Sequence, residues 1–166
     1  MSKCIPIDNF DACIFDFDGV LTDNAVYIDE NGKESAKCSR ADGLAFDVLR
    51  KIKQPIYILS TEKNAVVSSR AKKLQVPVIQ GVDDKVLALS KLVKDKSYEW
   101  SKLLYIGNDL NDYQAMQLCG FSACPKDSHE KIKQIATFVL NTKGGKGVVR
   151  ELTEEVLGLD FVEILY

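Results

Sequence analysis

The chain has no Cys-x-x-Cys pair, although it carries five cysteines, Cys4, Cys13, Cys38, Cys119 and Cys124. An odd count without zinc-like spacing argues against a metal-stapled or disulfide-stapled scaffold. Reduced thiols in a cytoplasmic protein are expected. No apolar run is long enough to span a bilayer. Pro6, Asp8 and Asp11 interrupt any apolar segment near the N-terminus, so no signal peptide is expected. Neither charge is in excess: charged residues make up 28% and the formal net charge is -2. That balance argues against nucleic acid or an anionic membrane as partner. There is one histidine, His129, in a polar stretch (126–130) that reads as a surface helix start and not as a catalytic base. Internal repeats, low-complexity tracts and linkers are also missing.

What the chain does have is apolar residues, 46% of 166. That suffices for one domain with a core, here taken as 1–166. Short apolar runs recur at 12–15, 56–59, 76–79, 103–106, 121–124 and 137–140. Their nearly continuous apolarity predicts strands buried on both faces, as in a parallel sheet. Helical spacing lies between them. Residues 42–53 put Leu44, Val48, Leu49 and Ile52 on one face, and 64–74 and 85–93 behave similarly. Shorter helices are expected at 109–118 and 128–135, and a closing one at 148–157. The alternation predicts an α/β layered fold with right-handed crossovers. One segment breaks it. Between Gly19 and Arg40, two extended runs flank Asn31-Gly32, which predicts a β-hairpin flap at about 20–40.

In open parallel sheets, ligands bind beyond the carboxyl ends of the strands. Those ends carry Asp16-Phe17-Asp18-Gly19, Ser60-Thr61, a following Lys85, and Gly107-Asn108-Asp109. A strand-end aspartate alone is often just a helix cap. Together the residues supply carboxylates, hydroxyls, an ammonium and an amide around one crevice. That set suits phosphoryl transfer. A carboxylate can attack phosphorus once its repulsion from the phosphate is neutralised by a hard cation such as Mg²⁺. An ammonium and hydroxyls then hold the phosphoryl oxygens. A second acid nearby can serve the leaving oxygen and then water.

Asp16-Phe17-Asp18-Gly19-Val20-Leu21-Thr22 resembles the DxDGxxT signature of the haloacid dehalogenase superfamily, and Ser60, Lys85 and 107–112 resemble its other motifs in order. The resemblance implies a Rossmann-like three-layer sandwich. It implies Asp16 as nucleophile and Mg²⁺ ligand, Asp18 as general acid/base with its carbonyl on the metal, and Ser60, Thr61 and Lys85 as phosphate binders. Asn108 stands at the third metal-binding side chain, with Asp109 and Asp112 nearby as support or alternative ligands. Gly19-Val20-Leu21-Thr22-Asp23, the flap, Asp42-Gly43-Leu44, Gly144-Gly145-Lys146-Gly147 and Arg150-Glu151 are similar to capless sugar-acid phosphatases. That group acts on 3-deoxy-octulosonate 8-phosphate or nonulosonate (sialic acid type) 9-phosphates. Some CMP-sialic acid synthetases carry a similar C-terminal domain.

Within that group, Ser60-Thr61-Glu62 stands where octulosonate enzymes tend to have Gly-Arg after the hydroxyl residue. Glu62, Arg70 and Lys73 match sugar-acid contacts of the nine-carbon enzymes, so a nonulosonate 9-phosphate is the expected substrate. Asp42 is a further candidate contact, or a cap of the first helix. The 143–147 loop is glycine-rich enough to approach a substrate, or is a plain turn. No inter-strand segment is long enough for a cap domain, and the resemblance implies a homotetramer in which a neighbour closes the site.

Two other readings stand beside this one. A receiver domain combines similar groups, but its phosphoacceptor ends the third strand, and here that run ends in Gln80-Gly81. The other is an assembly domain with weak activity, associated with CMP-sialic acid synthesis, for which the amide at Asn108 is the reason.

Overall fold

The computed structural model describes residues 4–166. Its centre is strand β1 (Ala12–Phe15), every residue of which is buried. The chain then leaves the sheet as an antiparallel hairpin, β2 (Thr22–Ile28) and β3 (Glu34–Cys38). The Asp29 carboxylate closes the hairpin turn by accepting from the Asn31 and Lys33 amides, and Gly32 takes φ +75° there. Helix α1 (Arg40–Lys51) follows, capped by Ser39, whose hydroxyl accepts from Ala41 N. This start lies two residues before the position the apolar spacing predicts, because the cap and not the first apolar residue sets it.

The chain next builds β4 (Ile56–Leu59), α2 (Ala65–Leu74), β5 (Val78–Ile79) and α3 (Lys85–Lys96). It then crosses to the other side of β1 for β6 (Leu103–Ile106), α4 (Tyr113–Leu118), β7 (Phe121–Cys124), α5 (Glu130–Ile135) and β8 (Phe138–Val139). The six-stranded parallel sheet has the order β5-β4-β1-β6-β7-β8. The chain therefore reverses its winding at β1, and the crevice opens where β1 meets its neighbours. Strand β5 is shorter than its apolar run, since Pro77 has no N–H for the ladder and joins only by accepting from Ile58 N. The last predicted helix begins as α6 (Val148–Glu151), widens into a π turn (Leu152–Val156), and is followed by a short α7 (Phe161–Leu165) that the apolar spacing did not announce.

Period-two alternation along the strands divides the core into two layers. Cys13, Phe15, Leu104 and Ile106 face α1, α2, α6 and α7, where Phe15 meets Phe46 edge to face at 5.1 Å. Ala12, Ile14, Leu103 and Tyr105 face α3, α4 and α5. Each fully buried Leu, Ile or Phe contributes about 1.5–3 kcal/mol of transfer free energy. Burial on both faces is thus what fixes the strand ends, and with them the site. Among the described residues no connection forms a cap domain, and no helix is long and apolar enough to cross a membrane. The flap stands off the sheet with Val26, Tyr27 and Ile28 exposed.

Candidate active site

Asp16 is the first residue beyond β1. Its backbone N–H donates to Ile106 O, so β6 still fixes its direction, and Phe17 N donates to Asp16 Oδ1 at 2.8 Å. The chain then turns sharply. Gly19 takes φ +83°, and the buried Thr22 hydroxyl accepts from Gly19 N and Asn24 N. The turn is clamped from outside by the glycine loop. Gly145 N donates to Val20 O at 3.0 Å, and Gly144 N to Asp127 Oδ1 at 2.9 Å. A Cβ on Gly144 would lie 2.1 Å from Gly19 O, and one on Gly145 2.4 Å from Asp23 N. These glycines are needed for contact with the loop that carries Asp16 and Asp18.

Lys85, the first residue of α3, is buried and reaches Asp16 Oδ1 at 2.8 Å and Asp112 Oδ1 at 2.6 Å. Asp112 also accepts from Tyr105 Oη at 2.8 Å, from Asn108 N at 2.9 Å and from Asp109 N at 3.3 Å. All its partners are donors within the protein, so it supports and does not coordinate. Burial and the Asp112 charge push Asp16 up to about 8, against the pull of Lys85. Burial works against the charge on Lys85, but Asp16 and Asp112 outweigh it and hold its pKa above the ordinary lysine value. Burial, helped by Glu62, likewise raises Asp18, which is about half buried. The raised pKa suits Asp18 to hold a proton for acid–base work, whereas Asp16, raised as well, needs positive charge brought beside it to act as an ionised nucleophile.

The Asn108 amide faces Asp16 and Asp18. Its inward atom lies 3.1 Å from Asp16 Oδ2 and 2.8 Å from the Asp18 carbonyl oxygen. With the nitrogen inward, the amide donates to both. With the oxygen inward, it joins Asp16 Oδ2 and the Asp18 carbonyl as a set of three oxygens that could hold a cation. A carboxylate, a carbonyl and an amide oxygen form a hard donor set that fits Mg²⁺ and not a soft metal. Among the described residues no three His, Cys, Asp or Glu side chains gather as a ligand set, so Asn108 completes the trio. Asp109 is more exposed and lines the same crevice beside them. Its Oδ1 accepts from Leu110 N and caps the turn Leu110–Asp112.

Ser60 is the first residue beyond β4, is buried, and accepts from Glu62 N, which leaves its own proton free to donate. Thr61 lines the crevice of about 300 Å³ that holds Asp16, Asp18 and Asn108. A larger neighbouring cavity of about 610 Å³ continues from it past Thr61, Leu110 and Asn111 towards Tyr113 and Lys131. Glu62 lies close enough to raise Asp18, while its Oε1 holds the Lys63 and Asn64 amides. Arg70 and Lys73 are elsewhere. They line a separate cavity of about 530 Å³ between α1 and α2, and Arg70 donates to Ser39 O.

Asp42 does not reach the crevice, which corrects its candidacy as a substrate contact. Its Oδ1 accepts from Val149 N and Arg150 N and ties α1 to the start of α6. His129 caps α5 through Nδ1, and its N–H holds Asn108 O. Tyr105 was missed by the sequence reading. The only signal was a hydroxyl in an otherwise aliphatic strand seven residues before Asp112.

A family profile of haloacid dehalogenase-like hydrolases matches residues 47–152. The 3-deoxy-D-manno-octulosonate 8-phosphate phosphatase of Salmonella typhi is 30% identical over 151 residues, 90% of this chain and 80% of that one. The structure of the corresponding Moraxella catarrhalis phosphatase, in complex with magnesium ion, phosphate ion and KDO, superimposes with TM-score 0.87 at 31% identity, covering 92% of this chain and 88% of that one. The zebrafish N-acylneuraminate cytidylyltransferase A is 26% identical over 84% of this chain, but only 33% of its own length. The chain belongs to the haloacid dehalogenase-like hydrolases. Within them it is a phosphoric monoester hydrolase.

Proposed function

We propose that this protein hydrolyses the phosphate monoester of an ulosonic acid through an aspartyl-phosphate intermediate on Asp16. The observation that carries this is the meeting of Asp16 Oδ2, the Asp18 carbonyl and Asn108 at 2.8 and 3.1 Å, with Lys85 Nζ 2.8 Å from Asp16 Oδ1. Asp16, the Asp18 carbonyl and Asn108 would hold Mg²⁺, which when bound supplies positive charge against the phosphate and keeps Asp16 ionised. Asp16 Oδ1 attacks phosphorus, and the bond from phosphorus to the sugar oxygen breaks. Asp18 gives that oxygen its proton. Asp18 then takes a proton from water as the water attacks phosphorus, and the Asp16–phosphorus bond breaks. Lys85 and the Ser60 and Thr61 hydroxyls face the phosphoryl oxygens.

The nine-carbon reading, a nonulosonate 9-phosphate, rests on Glu62, Arg70 and Lys73. Because Arg70 and Lys73 line a separate cavity, they would meet a substrate carboxylate only across a subunit boundary. A homotetramer supplies such a boundary, and the exposed Val26, Tyr27 and Ile28 of the flap offer the apolar face it would cover. A second reading, 3-deoxy-octulosonate 8-phosphate as substrate, is favoured by the Salmonella and Moraxella relatives. A third, a weakly active domain that assembles with a CMP-sialic acid synthetase, is favoured by the zebrafish relative.

One assay separates them: turnover with Mg²⁺ of p-nitrophenyl phosphate, octulosonate 8-phosphate and nonulosonate 9-phosphates. Asp16→Asn is expected to lose at least about 10³-fold, and the nine-carbon substrates are expected to lead. A lead for octulosonate 8-phosphate overturns the nine-carbon reading. Turnover no higher than that of Asp16→Asn on every substrate leaves the assembly reading in its place.

A further inference from the structure

We infer that Asn108 is a two-position latch, which closes the metal site by hydrogen bonds when the ion is away and opens it by a half-turn of its amide. The inference rests on the metal-assisted reading above and goes beyond it. Its ground is the chemistry of the atoms that Asn108 faces. Asp18 O, at 2.8 Å, is a backbone carbonyl and only accepts. Asp16 Oδ2, at 3.1 Å, is a carboxylate oxygen. A proton on Asp16 would satisfy one of these contacts and never the other. Without a cation between them, only an inward NH₂ satisfies both.

With a cation present, the same position needs an oxygen. An amide presents either atom from one backbone position, because its two ends are nearly isosteric. An aspartate there offers two acceptors and no donor, so it closes the site only around a cation. The surroundings hold Asn108 in place for this exchange. Asn108 N is fixed by Asp112 Oδ2 at 2.9 Å, and Asn108 O by His129 N at 2.9 Å. Gly19 leaves the space in front of the amide clear, since a Cβ there would come within 1.9 Å of the outward amide atom. The backbone is thus held on both sides, and the side-chain amide is the part left to turn. Two hydrogen bonds must break before the ion enters, so the latch weakens metal binding and stabilises the metal-free protein.

The test uses the full chain and Mg²⁺ alone. In the metal-free wild type, the Asn108 side-chain NH₂ pair, identified in an ¹⁵N spectrum by its absence from Asn108→Asp, is expected to exchange slowly with solvent. Adding Mg²⁺ is expected to move the pair and remove that protection. Asn108→Asp is expected to melt about 3–6 °C below wild type without metal and to bind Mg²⁺ about tenfold more tightly by calorimetry. An unprotected NH₂ pair in the metal-free wild type overturns the latch, whether or not the variant folds. So does an Asn108→Asp protein as stable as wild type without metal. If Mg²⁺ changes neither the spectrum nor the melting of wild type, the latch and the metal-assisted reading fall together.

Discussion

Asp16 and Asp112 are both buried carboxylates, both touch Lys85, and they are held in opposite ways. Every neighbour of Asp112 is a donor: Lys85 Nζ, Tyr105 Oη, Asn108 N and Asp109 N. Asp16 has such partners on Oδ1 only, and its Oδ2 faces the Asn108 amide beside the Asp18 carbonyl. Burial raises the pKa of Asp16, and the nearby Asp112 raises it further. One acid is fully satisfied by the protein. The other keeps an oxygen for something that arrives. Residue type and burial are the same in both, so neither separates support from chemistry here; the count of committed lone pairs does.

Replacing Asp112 tests that contrast most severely. In Asp112→Asn the amide must turn its NH₂ either to the Asn108 and Asp109 N–H groups or to Lys85 and Tyr105, and both sides are donors. The loss expected is about 3–5 kcal/mol, the cost of breaking one partner out of a buried ionic network. Urea unfolding measures it. A loss under about 1 kcal/mol would mean that Asp112 is not the hub its contacts describe.

Asp42 is a second buried carboxylate, away from the crevice, and extends the comparison. Its Oδ1 is satisfied by α6, but its Oδ2 is buried without a partner. Burial pushes its pKa up to about 6, against the pull of the Arg150 and Val149 amides and of Arg70. The sign follows from linkage. Below the ordinary carboxylate range both folded and unfolded chains hold the proton, and nothing is lost. As pH rises from there to about 6 the unfolded chain releases its proton first, so folding stability falls. A rise from the ordinary carboxylate range to about 6 corresponds to about 2–3 kcal/mol. Asp42→Asn keeps an oxygen for α6 and cannot titrate. Its stability relative to wild type is therefore expected to rise by about that amount between pH 4 and pH 7. Parallel curves of unfolding free energy against pH would show that Asp42 is ionised without penalty.

The sheet and the line of strand-end residues were legible because buried parallel strands are written as apolar runs, and the first polar residue after each run must lie at the carboxyl edge. Asp16, Ser60 and Asn108 were found in this way, Lys85 by its place in the order of motifs, and the flap by Asn31-Gly32. Other features were set by tertiary contacts that leave no local pattern. Gly144 and Gly145 read as a substrate loop or a turn, and only packing against Gly19 and Asp23 gives their role. Arg70 and Lys73 share a helix surface as spacing requires, but the direction of α2 takes that surface away from Asp16. Asp109 and Asn108 are adjacent, and spacing alone left both as ligands. Both line the crevice, and they differ in that Asp109 Oδ1 also caps the turn that follows.

Tyr105 gives the finest test, because Tyr105→Phe removes one hydroxyl and nothing else. The hydroxyl is fully buried, and burial with the Asp112 charge keeps its pKa well above the ordinary tyrosine value, so it remains a donor. Losing it is expected to cost about 1 kcal/mol in urea unfolding. Asp112 would then draw Lys85 more strongly, and Lys85 is shared with Asp16 Oδ1 at 2.8 Å. A small movement of Lys85 away from Asp16 lowers kcat by roughly tenfold or less and leaves KM nearly unchanged, since the substrate's organic part is untouched. A purely structural tyrosine would lower stability with no change in kcat. That outcome would show that Lys85 and the Asn108 and Asp109 amides fix Asp112 without help, and that the supporting side of the site is rigid enough to lose a donor.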